Sequence, residues 1–336
     1  MSELNKIALK IISNGKGILA ADESNGTMTK RLEAVNVNSN PENRLSFRET
    51  LFSSESMKDC IGGVILYDET INQTTSFGNS IPDLITSSGA LTGIKVDTGA
   101  KDLANSPEEK ITEGLDGLRE RLKKYYALGA RFTKWRGVYS ISEKYPSKLA
   151  ISSNAHALAR YSALVQENGM VPIVEPELLM DGSHSANVCL NKTSEVIKKC
   201  FEELILCKVD LSGIILKPNM ILDGNKSKNK ISKEEISLKT VECLKNSVPS
   251  EVPGVAFLSG GQSEIEATEN LNLINKNNNT NFIMTYSFGR ALQQSALNIW
   301  SKNDKNIEAT QNTFNHRAKM CTLAAQGKWA SELESK

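Results

Sequence analysis

The sequence predicts an α/β fold, a (β/α)8 barrel with one extra helix at its C-terminal end, and three observations lead there. Eight short apolar runs rich in Ile, Val, Leu and Phe recur along the 336 residues, none with the alternating polar face of a half-exposed sheet. Amphipathic segments separate them. Strands without a polar face belong to a parallel sheet covered on both sides, and eight strand–helix units close such a sheet into a barrel. An open doubly wound sheet is the alternative arrangement of the same elements.

The runs, in order, are Gly17–Asp22, Gly62–Asp68, Gly93–Asp97, Phe132–Arg136, Val171–Glu175, Gly213–Lys217, Gly254–Ser259 and Phe282–Ser287. Between them, Ser106-Pro107-Glu108-Glu109, Ser232-Lys233-Glu234-Glu235 and Ser263-Glu264-Ile265-Glu266 each place a serine three residues before a glutamate, the pattern of a helix N-terminus. The polar stretches Asn225–Lys230 and Asn275–Thr280 read as solvated loops, and neither marks a domain boundary. Residues Asn306–Gln326 form a helical pattern after the last strand unit and are expected to pack outside the barrel. Residues 1–336 are therefore read as a single domain, a length that α/β barrels commonly reach.

Composition narrows the function classes. Forty Lys and Arg against thirty-nine Asp and Glu leave a net charge of +1, so neither nucleic acid nor an anionic membrane is expected as a partner. Anion binding has to be local. No stretch reaches the apolar length of a membrane span and the N-terminus lacks a signal-peptide core, so the cytoplasm is the expected location. The six cysteines form no CxxC pair, and the three histidines (His156, His184, His316) are too scattered for a His-based metal site. No metal and no cofactor are expected.

Active sites of such barrels lie at the C-terminal ends of the strands, so the polar residues that end the apolar runs are the candidates. Lys217 follows Gly213-Ile214-Ile215-Leu216 and precedes Pro218, which puts its amine at the rim of an apolar core. A lysine beside low-dielectric walls and other cations loses its proton more easily, and the neutral amine attacks carbonyls. Lys134 is the expected neighbouring charge. Glu175 and Glu177, two apart in a strand, share a face and form a carboxylate pair, a catalytic relay or a structural network. Asp22 is either a base reaching into the barrel mouth or a cap near Ser24 and Thr27. Ser259-Gly260-Gly261 and Gly289-Arg290 expose backbone N–H groups, the second beside a guanidinium, where barrels commonly bind phosphate. Arg31 reads as a phosphate ligand or as surface cover.

Assembled, these residues resemble the class I fructose-bisphosphate aldolases, through KGILAADES (16–24), ENR (42–44), CIGGVIL (60–66), GIKVD (93–97), EGLDGL (113–118), KWR (134–136), VPIVEPE (171–177), LKPNM (216–220), FLSGGQSE (257–264) and SFGRALQ (287–293). The resemblance implies a metal-free lyase that cleaves fructose 1,6-bisphosphate to dihydroxyacetone phosphate and glyceraldehyde 3-phosphate, in glycolysis and gluconeogenesis. It implies Lys217 as Schiff-base nucleophile, Glu175 as proton relay, Asp22 as base at the C4 hydroxyl, and Lys134 beside Glu177 holding the charge of the intermediate. Lys95 and Arg136 would help bind substrate. Arg31, Ser24, Ser259, Gly260, Gly261, Ser287, Gly289 and Arg290 would bind its phosphates. A homotetramer is implied too, as is cytoskeletal binding, which makes a tail-less scaffold the rival function. A transaldolase-like enzyme is a second rival, disfavoured by the two phosphate sites. Thr27 and Phe288 depart from the usual Ser and Tyr of the family. The family's C-terminal tyrosine tail has no counterpart before Ser335-Lys336, from which a slower enzyme with little preference for the bisphosphate is expected.

Overall fold

The computed structural model describes residues 1–302 and 306–335. Eight parallel strands close into a barrel: β1 (Gly17–Ala21), β2 (Ile61–Leu66), β3 (Leu91–Lys95), β6 (Ala130–Tyr139), β7 (Val171–Leu178), β8 (Ile215–Leu216), β9 (Gly254–Phe257) and β10 (Ile283–Phe288). Around the ring the order is β1-β10-β9-β8-β7-β6-β3-β2. Each apolar run of the sequence overlaps one of these strands. The strands β1, β2, β7 and β9 are buried along their whole length, because helices cover one face and the barrel interior the other.

Two further strands, β4 (Gly99–Leu103) and β5 (Ser106–Glu113), form an antiparallel hairpin between β3 and β6. This corrects one expectation, because Ser106–Glu109 opens no helix. The Ser106 hydroxyl does donate to Glu109 (2.8 Å), but the buried Glu109 carboxylate is claimed by Ser147, whose backbone N–H donates to it at 2.7 Å. Ser147 is itself the N-cap of the helix Lys148–Glu167, so Glu109 fastens the hairpin to that helix. The other two serines do cap helices, at Lys233–Ser247 and Glu264–Lys276, each with its glutamate closing a reciprocal capping box. The sixth apolar run shrinks to the two residues of β8, since Leu211–Gly213 turns as a 3-10 helix beforehand.

The helix Ile307–Ala325 packs outside the barrel, against the helices Pro41–Phe52, Ser56–Cys60, Glu264–Lys276 and Arg290–Trp300, as its sequence position implies. Cys60, Cys189, Cys200, Cys243 and Cys321 are buried thiols. Burial pushes Cys200 up to about 12 and both Cys189 and Cys321 up to about 11, which makes them packing residues rather than nucleophiles.

The floor of the barrel is the amphipathic helix Glu3–Ile12, whose N-cap Ser2 accepts from the Asn5 N–H. Its Ala8, Ile11 and Ile12 pack with Ile18, Ile65, Phe132, Ile173 and Ile215 from the strands, filling the interior below the site. The approach is close. A Cβ at Gly62 would stand 1.9 Å from the Ile11 carbonyl oxygen, and one at Gly213 2.6 Å from the Leu4 Cβ. Gly62→Ala must therefore move backbone against backbone, an overpacking cost of about 3 kcal/mol or more. Thermal denaturation should show Tm lowered by roughly 4 °C or more. Gly26→Ala, where nothing lies within 4 Å, should leave it near wild type.

Candidate active site

At the opposite, C-terminal end of the strands lies a cavity of about 810 Å³. Every site residue named from the sequence lines it: Asp22, Ser24, Arg31, Lys95, Lys134, Arg136, Glu175, Glu177, Lys217, Ser259, Gly260, Gly261, Ser287, Gly289 and Arg290. The strands explain the convergence, since residues two apart on one strand point to the same side. Lys134 and Arg136 project from β6, and Glu175 and Glu177 from β7. Lys217 follows β8, its backbone N–H held by the Val174 carbonyl at 2.8 Å.

Four side chains form one ionic chain at the bottom of the cavity. The Lys217 Nζ lies 3.1 Å from Glu175 Oε1, and the Lys134 Nζ lies 3.0 Å from Glu175 Oε2 and 2.8 Å from Asp22 Oδ2. All are at least seven-eighths buried as side chains. Glu175 thus bridges two ammonium groups. Lys134 does not sit beside Glu177, as the resemblance implied: β6 and β7 run in register with Arg136 opposite Glu175, so Lys134 lies one step deeper than Arg136 and meets the deeper carboxylate. Glu177 pairs with the Arg136 Nε instead.

Burial opposes ionisation of Asp22, but Lys134, Lys217 and Lys95 outweigh it and hold its pKa at about 2. Glu175 is likewise held below the ordinary carboxylate range, since Lys134, Lys217 and Arg136 overcome its burial. Burial disfavours the Lys134 ammonium, yet Asp22 and Glu175 raise its pKa above the ordinary lysine value. Lys134 is therefore a fixed positive charge, and both carboxylates are ionised at neutral pH.

These shifts set a pH window for stability. A lowered carboxylate pKa contributes stability that is complete above the unfolded value, 3.8 for Asp22, and is lost as pH falls through about 2. The raised Lys134 pKa contributes below the unfolded value of 10.5 and is lost only as pH rises through the higher folded value. Chemical denaturation between pH 4 and pH 2 should show the wild type losing stability more steeply than Asp22→Asn, while the two curves run parallel from about pH 5 to 9.

The phosphate candidates surround this chain. Gly260 and Gly261 adopt φ of 55° and 82°, a left-handed turn that glycine tolerates, and Gly289 is the N-cap of the helix Arg290–Trp300. The Ser287 hydroxyl is buried on the cavity wall without a hydrogen-bond partner among the described residues. Arg31 pairs with Glu23, and its Nε and Nη2 are likewise buried and unpartnered. Such buried donors call for a ligand. Ser24 is the N-cap of the helix Asn25–Glu33, accepting from the Thr27 N–H, so the capping role falls to Ser24 while Asp22 faces the lysines.

Several lining residues escaped sequence reasoning: Glu23, Lys30, Asp97 and Gln294. Gln293 stands behind them, donating to the Ala20 carbonyl (2.7 Å) and accepting weakly from Arg31 (3.5 Å). Asp97 had a signal in the GIKVD motif, two residues after Lys95 on the same strand end; Gln293 had none beyond its place in SFGRALQ.

A closed parallel barrel with lysines, carboxylates and bare amides at its C-terminal rim is the architecture of an α/β-barrel enzyme. Comparison with known proteins specifies which kind. The family model described as fructose-bisphosphate aldolase class-I matches residues 3–336. A probable fructose-bisphosphate aldolase class 1 of Xanthomonas axonopodis pv. citri is 45% identical over 98% of this chain and 99% of its own. The fructose-bisphosphate aldolase 6, cytosolic, of Arabidopsis thaliana is 46% identical over 98% and 94%. Among solved structures, the Plasmodium falciparum fructose-bisphosphate aldolase in a complex with TRAP and an inhibitor superposes with a TM-score of 0.96, at 42% identity over 98% of this chain and 95% of that one. The chain belongs to the class I fructose-bisphosphate aldolase family, and is a lyase.

Proposed function

We propose that this enzyme reversibly cleaves fructose 1,6-bisphosphate through a Schiff base on Lys217, in glycolysis and gluconeogenesis. The observation that carries the reading is the carboxylate of Glu175 shared between Lys217 and Lys134 at the foot of the cavity. Lys217 attacks the C2 carbonyl once its ammonium has passed a proton to a base, and Glu175 Oε1 is within reach to accept it. The same carboxyl returns the proton to the carbinolamine hydroxyl, which leaves as water and yields the iminium. Asp22, ionised by its lysine neighbours, takes the proton of the C4 hydroxyl, and the C3–C4 electron pair moves into the iminium. Glyceraldehyde 3-phosphate departs. The remaining enamine is protonated at C3 and hydrolysed to dihydroxyacetone phosphate, freeing Lys217.

Two anion-binding groups suit a substrate with a phosphate at each end. The Ser259-Gly260-Gly261 turn and the Gly289–Arg290 helix start, read from the sequence as two sites, are taken with Ser287 as one, since they follow the neighbouring strands β9 and β10, with Arg31 as a further cation paired to Glu23; Ser24, after β1, and Lys95, at the end of β3, form the other. A scaffold function would require none of the charges clustered on Lys217, and it is not favoured. We further read residues 1–336 as one domain, since the apolar core runs continuously from Leu19 to Trp329, and as cytoplasmic, since Arabidopsis relatives are named cytosolic; the homotetramer rests on the family resemblance alone. No helix among the described residues is long and apolar enough to cross a membrane.

Borohydride reduction in the presence of dihydroxyacetone phosphate tests the central step. Peptide mapping should find one modified residue, Lys217. A label on Lys134 or Lys95, or no label at all, would overturn the Schiff-base assignment.

A further inference from the structure

Strands β3 and β6 pair with Lys95 directly opposite Lys134. Cα atoms of neighbouring strands are ~4.8 Å apart, and like charges on directly opposed residues repel. Lys134 is buried and fixed between Asp22 and Glu175, so any rearrangement falls to Lys95. Its ammonium does not extend freely into solvent. It folds back two residues along its own chain, donating to Asp97 Oδ1 at 2.5 Å and to the Asp97 carbonyl at 2.9 Å.

The Asp97 side chain is 2% exposed and both of its oxygens are engaged. Oδ1 also accepts the Gly99 N–H (3.1 Å), which turns the chain from β3 into the β4–β5 hairpin, and Oδ2 accepts the Arg136 N–H (3.3 Å) on β6. One carboxylate thus touches the side chain of one cavity cation and the backbone of another. A lysine carries a long, flexible stem, and ordering it on binding weakens affinity unless something has already placed it.

We propose that Asp97 is a positioning residue for substrate binding: it holds the Lys95 ammonium away from Lys134 and aimed at the phosphate that arrives beside β3. The proposal rests on the reading of Lys95 as a substrate-facing cation. Asp97 needs no contact with substrate for this role. Without the carboxylate, repulsion from Lys134 drives the Lys95 ammonium outward to water, and the phosphate must gather it back.

A double-mutant cycle in KM tests it. Lys95→Ala should raise KM for fructose 1,6-bisphosphate about 10-fold, the ordinary effect of losing a charge-assisted contact. Asp97→Ala should raise it roughly 3- to 5-fold with kcat within about twofold, because one long side chain is released. In the double variant, removing Asp97 should add less than about twofold to the Lys95→Ala value. Asp97→Asn keeps an acceptor for Lys95 and Gly99, so it should show a smaller rise in KM and remain folded even where Asp97→Ala does not. Additive effects in the cycle, an unchanged or lowered KM for both Asp97 variants, or a loss confined to kcat would each overturn the proposal. Dihydroxyacetone phosphate trapping is run on every variant. Trapping on Lys217 with an additive cycle sinks the Asp97 role alone, whereas failure to trap wild type sinks the Schiff-base reading and leaves the KM cycle to be judged separately.

Discussion

Lys217→Ala is expected to remove covalent trapping altogether and to lower turnover by about 10⁵-fold or more, the scale seen when a covalent nucleophile is deleted. No neighbour can take over. Lys134 is the nearest other lysine amine on the Glu175 carboxylate, but Asp22 and Glu175 hold it protonated, and a protonated amine has no lone pair to offer a carbonyl. Lys95 is tied to Asp97. The fold should survive, because alanine removes a buried charge together with its stem and leaves Glu175 still paired with Lys134. Single-turnover assays with fructose 1,6-bisphosphate at high enzyme concentration measure the effect, with circular dichroism as the check on folding. Residual turnover above about a hundredth of wild type would mean that another amine forms the Schiff base.

Glu175 should give the second-largest effect, and its two substitutions should part company. Glu175→Gln keeps the side-chain volume and an acceptor between the lysines but cannot relay a proton, so kcat should fall by ~100- to 10,000-fold. Burst experiments should then show slow carbinolamine dehydration with Lys217 still in place. Glu175→Ala goes further, since it strips Lys217 of its carboxylate and leaves Lys134 with Asp22 alone. Removing one partner of a buried ion pair typically costs about 3–5 kcal/mol. Urea denaturation should accordingly separate the two variants, with alanine much the less stable. Equal stability would show that water repairs the gap and that the bridge matters to chemistry alone.

What could be read beforehand follows the physics of the barrel. In a parallel barrel the residue that ends an apolar run is carried to the rim wherever its partner strand lies, so Lys217, Glu175 and Asp22 were recognisable one strand at a time. Which charge meets which was not, because that depends on register between strands: the single step separating Lys134 from Arg136 decides that Lys134 meets Glu175 rather than Glu177. The hairpin was hidden for a related reason. Ser106 and Glu109 have helix-capping spacing, but the partner that decides their fate, Ser147, lies 38 residues downstream of Glu109. Asp97 and Gln293 share this property in part, since Asp97 also accepts from the Arg136 N–H on β6 and Gln293, on the helix Arg290–Trp300, donates to the Ala20 carbonyl on β1.

The helix beneath the barrel carries a consequence for how the sequence is free to drift. At the rim, a changed side chain alters what is bound or turned over, and it weakens the fold only where, as at Glu175, it leaves a buried charge unpaired. At Gly62 and Gly213 the space for a side chain is already occupied by the Ile11 carbonyl and by Leu4, so the same genetic step there costs the molecule itself. Selection therefore acts on the two ends through different currencies, catalytic output above and protein abundance below. A random library of this enzyme should divide accordingly, with floor substitutions lost from the soluble fraction and rim substitutions, those that strand a buried charge excepted, recovered intact but inactive.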